Sequence, residues 1–345
     1  MTEPDGAQES HGAGGRRWAL WIVLALLIAA GAFAWRGHSG AAGGSGAGGA
    51  LVVGDQRGGI QALLTAAGEL EDVPYRIDWA LFPAASPLLE ALGSGAVDVG
   101  GIGGAPFAFA YAGGAPIKVV FAARAADGTG GRASAIIVKA NSPIRSLAQL
   151  RGKRLATVRG SAGQNTALRL LEQAGLRSSD VTWVYLNNGE AKAALASGSI
   201  DAWSTWGSYV GIALLEDKER ALADAAKLPA ETGFLAANDK AIATKRAQLA
   251  DFLARAARAR AWARTHQEDY ARVLAKETGI PLEVARFTVR ENVTTVVPVE
   301  DGLRAEQQAI LERYRSAGVI PAVPDLGGAF DPSFNAAVTG QPKRP

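Results

Sequence analysis

Four short segments of the chain carry polar and glycine residues that could contact a ligand. They follow predicted strands, and at least three precede a predicted helix: residues 55–59, 102–106, 159–165 and 204–209. Free N–H groups and the helix dipole attract anions, and glycine lets the backbone approach a bound molecule. These segments predict an anion site without catalytic groups. Its candidate residues are Gln56, Arg57, Gly58, Gly103, Gly104, Ala105, Ser161, Gln164, Asn165 and Trp206.

The composition excludes several other kinds of site. The 345 residues include no cysteine, which excludes disulfides, thiolate metal sites, cysteine nucleophiles and an acylated N-terminal cysteine. Of three histidines, only His266 lies beyond residue 50, so histidine metal sites and Ser-His-Asp triads are not expected. The net charge of +3 does not indicate a nucleic-acid-binding surface. No cofactor, metal or nucleic-acid partner is predicted.

Two of the candidates also have a structural explanation. Ser161 precedes a predicted helix over 161–175 and suits its N-cap, so a capping role and a ligand contact are equally open. Trp206 could pack against the carbon atoms of a ligand, although packing in a hydrophobic core is commoner for tryptophan.

Residues 1–36 have the features of an export signal or a membrane anchor. Residues 18–35 form 18 consecutive residues without a charge, a length between that of a signal peptide and that of a spanning helix. An Ala-x-Ala sequence in this run favours cleavage, whereas tryptophans near its ends favour retention. Residues 37–50 include seven glycines and predict a flexible linker. The remainder is therefore expected outside the cytoplasmic membrane.

Short apolar runs alternate with longer amphipathic runs from Leu51 to about residue 238, which predicts α/β lobes with mostly parallel sheets. Beyond about residue 239 no further strand is predicted. The apolar spacing between Leu249 and Ala257 there indicates a half-buried helix. Its arginines are interpreted as a solvated helix face: Arg255, Arg258, Arg260 and Arg264.

An internal repeat predicts two similar lobes. Residues 91–99 (ALGSGAVDV) and 194–202 (ALASGSIDA) match at an offset of 103. Each copy predicts a helix that ends at glycine, followed by a strand that carries Asp98 or Asp201. Ligands of open parallel sheets bind beyond the carboxyl ends of the strands, so two facing lobes would bring the four segments to one cleft.

The chain resembles the periplasmic substrate-binding proteins of ABC importers for aliphatic sulfonates, taurine and nitrate. The resemblance runs from about Leu51 to Pro321. It is carried by GDQRGGIQALL (54–64), LLEALGSGAVDVGGIGGAPFAFA (88–110), NSPIRSLAQLRGKRLATVRGS (141–161), LEQAGL (171–176), ALASGSIDAWSTW (194–206) and GLRAEQQAILERYRSAGVIP (302–321). It implies a type II periplasmic binding protein, with two α/β lobes, a hinge and a central ligand cleft. The ligand residues it implies are Gln56, Gly58, Gly104, Ala105, Ser161 and Trp206.

Departures from the family pattern concern the ligand. Similar sequences usually carry an acidic residue in place of Gly104, commonly an aspartate in place of Gly207, and a different segment in place of 231–234 (ETGF). An amine-bearing sulfonate such as taurine needs a carboxylate partner, because an unpaired ammonium in a closed cleft is costly. The resemblance therefore implies a sulfonate with an uncharged tail, unless Asp55 supplies the charge.

Two crossings of a hinge are expected, with strand 135–139 leading across it. The predicted organisation is an N-terminal segment (1–36), a linker (37–50), a first lobe (51–138 plus 233–330), a second lobe (139–232) and a C-terminal tail (331–345).

The predicted function is that of a monomeric extracytoplasmic binding component of an ABC importer. Its partners would be a sulfonate-like organic anion, the permease and ATPase subunits, and the inner membrane if the N-terminal segment is retained. Two alternatives stay open. One is an enzyme on the same scaffold, similar to those of thiamine-pyrimidine synthesis, although such enzymes rely on histidine. The other is a membrane-tethered sensory domain.

Overall fold

The computed structural model describes residues 49–340, which form two α/β lobes. The predicted signal or anchor at 1–36 lies outside the described residues, as do residues 341–345 and all of the predicted linker except Gly49 and Ala50. Within the described part of the chain, no helix has both the length and the apolar character needed to cross a membrane.

The first lobe is built on a six-stranded mixed sheet. Its strands are β1 (Leu51–Gln56), β2 (Ile77–Phe82), β3 (Val99–Gly103), β4 (Ile117–Ala125), β10 (Gly233–Asn238) and β11 (Thr294–Val297), in the order β11-β4-β10-β3-β1-β2. Its helices are α1 (Gly59–Ala66), α2 (Ala85–Gly93), α3 (Gly104–Ala112), α7 (Asp239–Thr244), α8 (Arg246–Ala263), α9 (Gln267–Thr278), α11 (Asp301–Ser316) and α12 (Asn335–Thr339). Separate apolar clusters form the core on the two faces of this sheet.

The second lobe has a five-stranded sheet. Its strands are β5 (Ser134–Val138), β6 (Arg154–Thr157), β7 (Thr182–Tyr185), β8 (Ala202–Trp206) and β9 (Arg220–Asp224), in the order β7-β6-β8-β5-β9. Its helices are α4 (Ala162–Gln173), α5 (Asn188–Ser197) and α6 (Ser208–Gly211), the last continued by a π-helical turn over Ile212–Glu216. The fold class predicted from sequence, two α/β lobes of a periplasmic binding protein, is confirmed by this architecture and by the comparisons below.

The sheets are mixed because the chain passes twice between the lobes. β5 and β10 are the first strands after each crossing, and both run antiparallel to their neighbours. The crossings, residues 126–133 and 225–232, pair with each other through Gly130 N to Leu228 O at 2.8 Å and Ala230 N to Gly128 O at 2.9 Å. A Cβ at Gly130 would lie 2.6 Å from the carbonyl oxygen of Ala225, so the close pairing requires glycine.

The sequence repeat corresponds to a repeated hydrogen-bond pattern. The Asp98 Oδ2 accepts a hydrogen bond from Val52 N of β1 at 2.7 Å, and the Asp201 Oδ2 accepts one from Arg154 N of β6 at 2.8 Å. In each lobe the aspartate therefore holds the start of the neighbouring strand. Both preceding glycines, Gly95 and Gly198, have positive φ angles of 76° and 81°.

Several boundaries differ from the sequence expectation. Residues 134–138 were assigned to the first lobe, but β5 pairs with β8 and β9 of the second lobe, so the first crossing precedes this strand. β9 was not predicted, and β11 lies where no strand was expected. Its four residues are only half-buried and give a weak apolar signal.

Two C-terminal segments also differ from the expected organisation. Helix α10 (Leu282–Arg290), assigned to the first lobe, contacts both lobes. Its Val284 packs with Ala62 and Leu274 of the first lobe, and its Phe287 packs in the second-lobe cluster with Trp203. The expected tail begins at residue 331, yet Phe334 is buried in the first-lobe core. The Asn335 Nδ2 also donates to Val299 O at 3.0 Å. Apolar contact and this hydrogen bond therefore hold residues 331–340 on the first lobe.

Candidate ligand-binding site

A cavity of about 430 Å³ lies between the lobes and is lined by residues from both of them. The first lobe contributes Gln56, Arg57 and Gly103, which stand where β1 and β3 end. The second lobe contributes Trp206 at the end of β8 and Tyr209 in α6. The volume is within the range of small-molecule sites. Four of the residues predicted from sequence thus line one cavity.

Six predicted residues do not line this cavity: Gly58, Gly104, Ala105, Ser161, Gln164 and Asn165. Gly58 has a φ of 77° at the start of α1, which explains the need for glycine there. The other five lie at the starts of α3 and α4. Ala105, Ser161, Gln164 and Asn165 form hydrogen bonds within the protein, and Gly104 lies against Gln307 and Thr232.

The start of α1 is capped by a buried carboxylate. Asp55, only 1 % exposed, accepts hydrogen bonds from Ile60 N at 3.1 Å and Gln61 N at 2.8 Å. Burial raises the pKa of Asp55 to about 6, and the N–H groups of Gln61 and Ile60 oppose part of that rise. The carboxylate therefore fills the position at this helix start that sequence reasoning assigned to a ligand anion.

The start of α3 is also occupied by a carboxylate. The Glu231 Oε1 accepts a hydrogen bond from Ala105 N at 2.6 Å, and its Oε2 accepts one from the Asn165 Nδ2 at 2.8 Å. Burial raises the pKa of Glu231, and the hydrogen bonds from Ala105 and Asn165 oppose that rise. Glu231 stands at the end of the second crossing, so one side chain connects α3 of the first lobe with α4 of the second.

The start of α4 is capped by neutral groups. The Ser161 hydroxyl donates to Val158 O at 2.6 Å and accepts from Gln164 N at 3.2 Å. The Gln164 Oε1 accepts from Gly160 N at 2.7 Å, and its Nε2 donates to the Tyr185 hydroxyl at 3.0 Å. Ser161 is 3 % exposed, so of its two possible roles the geometry supports the cap.

The absence of a side chain at Gly104 has a local explanation. A Cβ there would lie 2.8 Å from the Gln307 Nε2, 2.9 Å from Thr232 O and 3.3 Å from the Glu231 Cγ. The volume that an acidic residue at 104 would need is thus taken by Gln307, Thr232 and Glu231. Glu231 itself carries a carboxylate and lines the cavity, so the cleft has an acidic group where the expectation of an uncharged ligand tail assumed none.

Three arginines line the cavity: Arg57, Arg169 and Arg260. The Arg57 guanidinium carbon lies 4.5 Å from the centre of the Tyr209 ring, so this side chain reaches from the first lobe to the second. The Arg169 Nη2 donates to Pro229 O at 2.9 Å, and burial lowers the pKa of its guanidinium. The cavity can therefore attract an anion through side-chain charge rather than through the helix starts.

Gln56 and Trp206 complete the polar and apolar parts of the wall. The Gln56 Nε2 donates to Gly101 O at 2.7 Å, which uses one of its two amide hydrogens and leaves the other for a ligand. Trp206 is half-buried and leaves part of its ring exposed to the cavity. No group of three or more metal-ligating side chains occurs within residues 49–340.

Sequence reasoning missed Glu231, Arg169, Arg260 and Tyr270 in the wall. Segment 231–234 departs from the family pattern, and this departure is the sequence feature that points to Glu231. Arg260 was assigned to a solvated face because its neighbours in sequence are alanines and arginines. Its burial depends on packing between α8, α9 and β4, for which the sequence has no local signal.

The comparisons with known proteins agree with this geometry. The model of the NMT1/THI5 like family matches residues 81–270. A putative aliphatic sulfonates-binding protein of Escherichia coli is 34% identical over 281 residues, which cover 80% of this chain and 87% of that protein. The chain belongs to the NMT1/THI5-like family. The resemblance to substrate-binding proteins of sulfonate importers, stated above from sequence motifs, is confirmed.

Solved structures of two relatives extend over nearly the same residues. The periplasmic aliphatic sulphonate binding protein SsuA from Escherichia coli matches with a TM-score of 0.69 and 32% identity, over 80% of this chain and 90% of that one. The alkanesulfonate-binding protein SsuA from Xanthomonas axonopodis pv. citri, bound to MOPS, matches with a TM-score of 0.75 and 27% identity, over 83% and 99% of the two chains.

The fold is shared with an enzyme as well. The desulfurization enzyme DSZB matches with a TM-score of 0.59 at 15% identity, over 85% of this chain and 99% of that one. At this identity the match shows the fold alone, so the fold does not distinguish a binding protein from an enzyme.

Proposed function

We propose that this protein is the extracytoplasmic binding component of an ABC importer and that its cavity binds an organic sulfonate without a catalytic step. The observation that carries the proposal is the interlobe cavity, in which Arg57, Arg169 and Arg260 provide positive charge beside Trp206. A sulfonate has one negative charge shared by three acceptor oxygens, and planar guanidinium groups match such a headgroup. The relatives named for aliphatic sulfonates support the same ligand class.

The cavity wall also bears on whether the tail of the ligand carries an amine. Trp206 offers an apolar surface to a carbon chain, and Glu231 places a carboxylate on the same cavity wall. A sulfonate with a distal amine, such as MOPS or taurine, therefore has a candidate partner in Glu231. An alkanesulfonate would use only Trp206 and the arginines. The cavity wall thus offers partners both to sulfonates with a distal amine and to alkanesulfonates. The Kd values of the two classes decide which one is preferred.

Isothermal titration calorimetry with the full chain tests the proposal. The panel contains hexanesulfonate, MOPS, taurine, nitrate and sulfate. We expect at least one organic sulfonate to bind in the micromolar range or tighter and to raise the melting temperature, because a ligand that binds only the folded state stabilises it. Mass spectrometry of the recovered ligand should show it unchanged. Binding restricted to nitrate or sulfate contradicts a sulfonate site, and conversion of the ligand contradicts a purely binding role.

A further inference from the structure

Helix α8 carries arginines in different settings. The Arg255 Nε donates to Asp251 at 2.7 Å, and the Arg258 Nη2 donates to Glu69 at 2.6 Å. The Nε of Arg260, on the same helix, is buried and has no hydrogen-bond partner. Within residues 49–340, no carboxylate lies at ion-pair distance from Arg260. Its charge is therefore not neutralised by the described part of the chain.

The surroundings of Arg260 are apolar and aromatic. Its guanidinium carbon lies 5.4 Å from the centre of the Phe121 ring, and Leu63 and Tyr270 line the same region. Burial lowers the pKa of the Arg260 guanidinium, and the Tyr270 phenol opposes that change. Arginine nevertheless stays protonated in proteins. The ring of Phe121 offsets only part of the cost of removing this charge from water.

Arg260 lines two neighbouring cavities. One is the interlobe cavity of about 430 Å³, and the other is a cavity of about 30 Å³ that is also bordered by Arg264. The small cavity has room for about two water molecules, which can accept hydrogen bonds but carry no charge. Of the two cavities, only the interlobe cavity has room for an organic anion that would compensate Arg260.

We propose that Arg260 binds the anionic headgroup of the ligand from the α8 side of the cleft. This inference rests on the proposed function, because it takes the ligand to be a sulfonate or a similar organic anion. A guanidinium offers several donors in one plane, which suits a headgroup with three oxygens. The neighbouring helix starts cannot take this role, because Asp55 and Glu231 already accept from their N–H groups.

In the ligand-free protein, Arg260 is a half-buried charge without a partner. Such a charge lowers stability, so replacement by a neutral side chain of similar length should stabilise the free protein. The same replacement removes the ligand's charge partner and should weaken binding. A purely structural arginine would behave differently, because its loss would destabilise the protein and leave affinity unchanged.

The experiment compares Arg260→Met and Arg260→Gln with the control Arg258→Met in the full chain. The control removes the same charge from the same helix outside the cavity. Calorimetry with MOPS and hexanesulfonate measures Kd, and urea unfolding measures stability without ligand. We expect Kd to rise at least about 30-fold in both Arg260 variants and to stay within about twofold in the control. We also expect Arg260→Met to be at least as stable as the wild type, and the control to be slightly less stable.

The outcomes separate this inference from the proposed function. If the wild type binds a sulfonate and the Arg260 variants bind it equally well, the assignment to Arg260 is wrong and the proposed function stands. If Arg260→Met fails to fold or is clearly less stable, Arg260 is structural and the assignment is again wrong. If the wild type binds neither sulfonate, both proposals fail.

Discussion

In the first lobe the helix that follows β1 is capped by the carboxylate of Asp55, whereas in the second lobe the helix that follows β6 is capped by the hydroxyl of Ser161. Both side chains are almost completely buried. In both copies of the α/β unit a side chain accepts hydrogen bonds from the N–H groups at the helix start. The two side chains differ in charge. Only the first lobe places a titratable group there.

The difference extends to the rest of the cleft. The first lobe also contributes Arg57 and Arg260 to the cavity, while the second contributes Arg169, Trp206 and Tyr209. Two of the three cavity arginines thus come from the first lobe, whereas Trp206 and Tyr209 come from the second.

The largest effect we expect from this comparison is a pH dependence that comes from the helix cap of the first lobe and not from that of the second. The pKa of Asp55 rises from its ordinary value of 3.8 to about 6 on folding. Between these values the folded state binds more protons than the unfolded state, so Asp55 makes stability fall as pH rises from about 4 to about 6. In Asp55→Asn this contribution is absent.

Urea unfolding at pH 3 and pH 7 measures this effect as a difference between wild type and Asp55→Asn. The stability of the wild type relative to the variant should fall by about 3 kcal/mol over this range. Ser161→Ala serves as the control, because it removes a neutral cap and should follow the pH profile of the wild type. Parallel profiles for wild type and Asp55→Asn would show that Asp55 has an ordinary pKa.

A smaller effect concerns the repeated aspartates. The Asp98 Oδ2 accepts from Val52 N and from the Lys245 Nζ at 2.6 Å, and its side chain is 10% exposed. Asp201 makes the equivalent strand contact with a side chain that is 29% exposed. We expect Asp98→Ala to cost about 2 kcal/mol and Asp201→Ala about 1 kcal/mol in urea unfolding, because water replaces the lost partner more easily at the exposed site. Equal losses would contradict this distinction between the lobes.

The cap of the second lobe should matter for stability alone. Ser161→Ala removes the acceptor for Gln164 N and should cost about 1 kcal/mol. Because Ser161 does not line the cavity, the Kd for the preferred sulfonate should not change. Weaker binding in calorimetry at unchanged stability would indicate that Ser161 contacts the ligand, as the sequence predicts.

The smallest effect concerns the negative charge on the cavity wall. Glu231→Gln keeps an acceptor for Ala105 N and removes a charge that repels a sulfonate headgroup, so alkanesulfonate binding should tighten by about threefold. Binding of MOPS should tighten less, or weaken, if its amine contacts Glu231. Glu172→Gln, on the surface of α4, is the matched control. Weaker hexanesulfonate binding in Glu231→Gln would mean that Glu231 supports the site.

Local sequence patterns are enough to predict the framework of this protein. Alternating apolar runs identified most strands, the repeat at 91–99 and 194–202 predicted the paired lobes, and the family motifs identified the family. These signals are local, because side-chain periodicity and glycine positions are set by the secondary structure of the same segment. Four candidates stand just after a predicted strand and line the cavity: Gln56, Arg57, Gly103 and Trp206.

Which polar groups remain free in the cleft depends on contacts between distant segments of the chain. Asp55 and Ala105 look like ligand contacts in sequence, but in the fold they are engaged with α1 and with Glu231. Glu231 is 126 residues from Ala105, and Arg260 lies on a helix that packs on the first sheet from far along the chain. The roles of Asp55 and Glu231 as helix caps, and the lack of a partner at Arg260, depend on which residues lie next to them in space. Burial and pairing between distant segments therefore fixed the chemistry of the site.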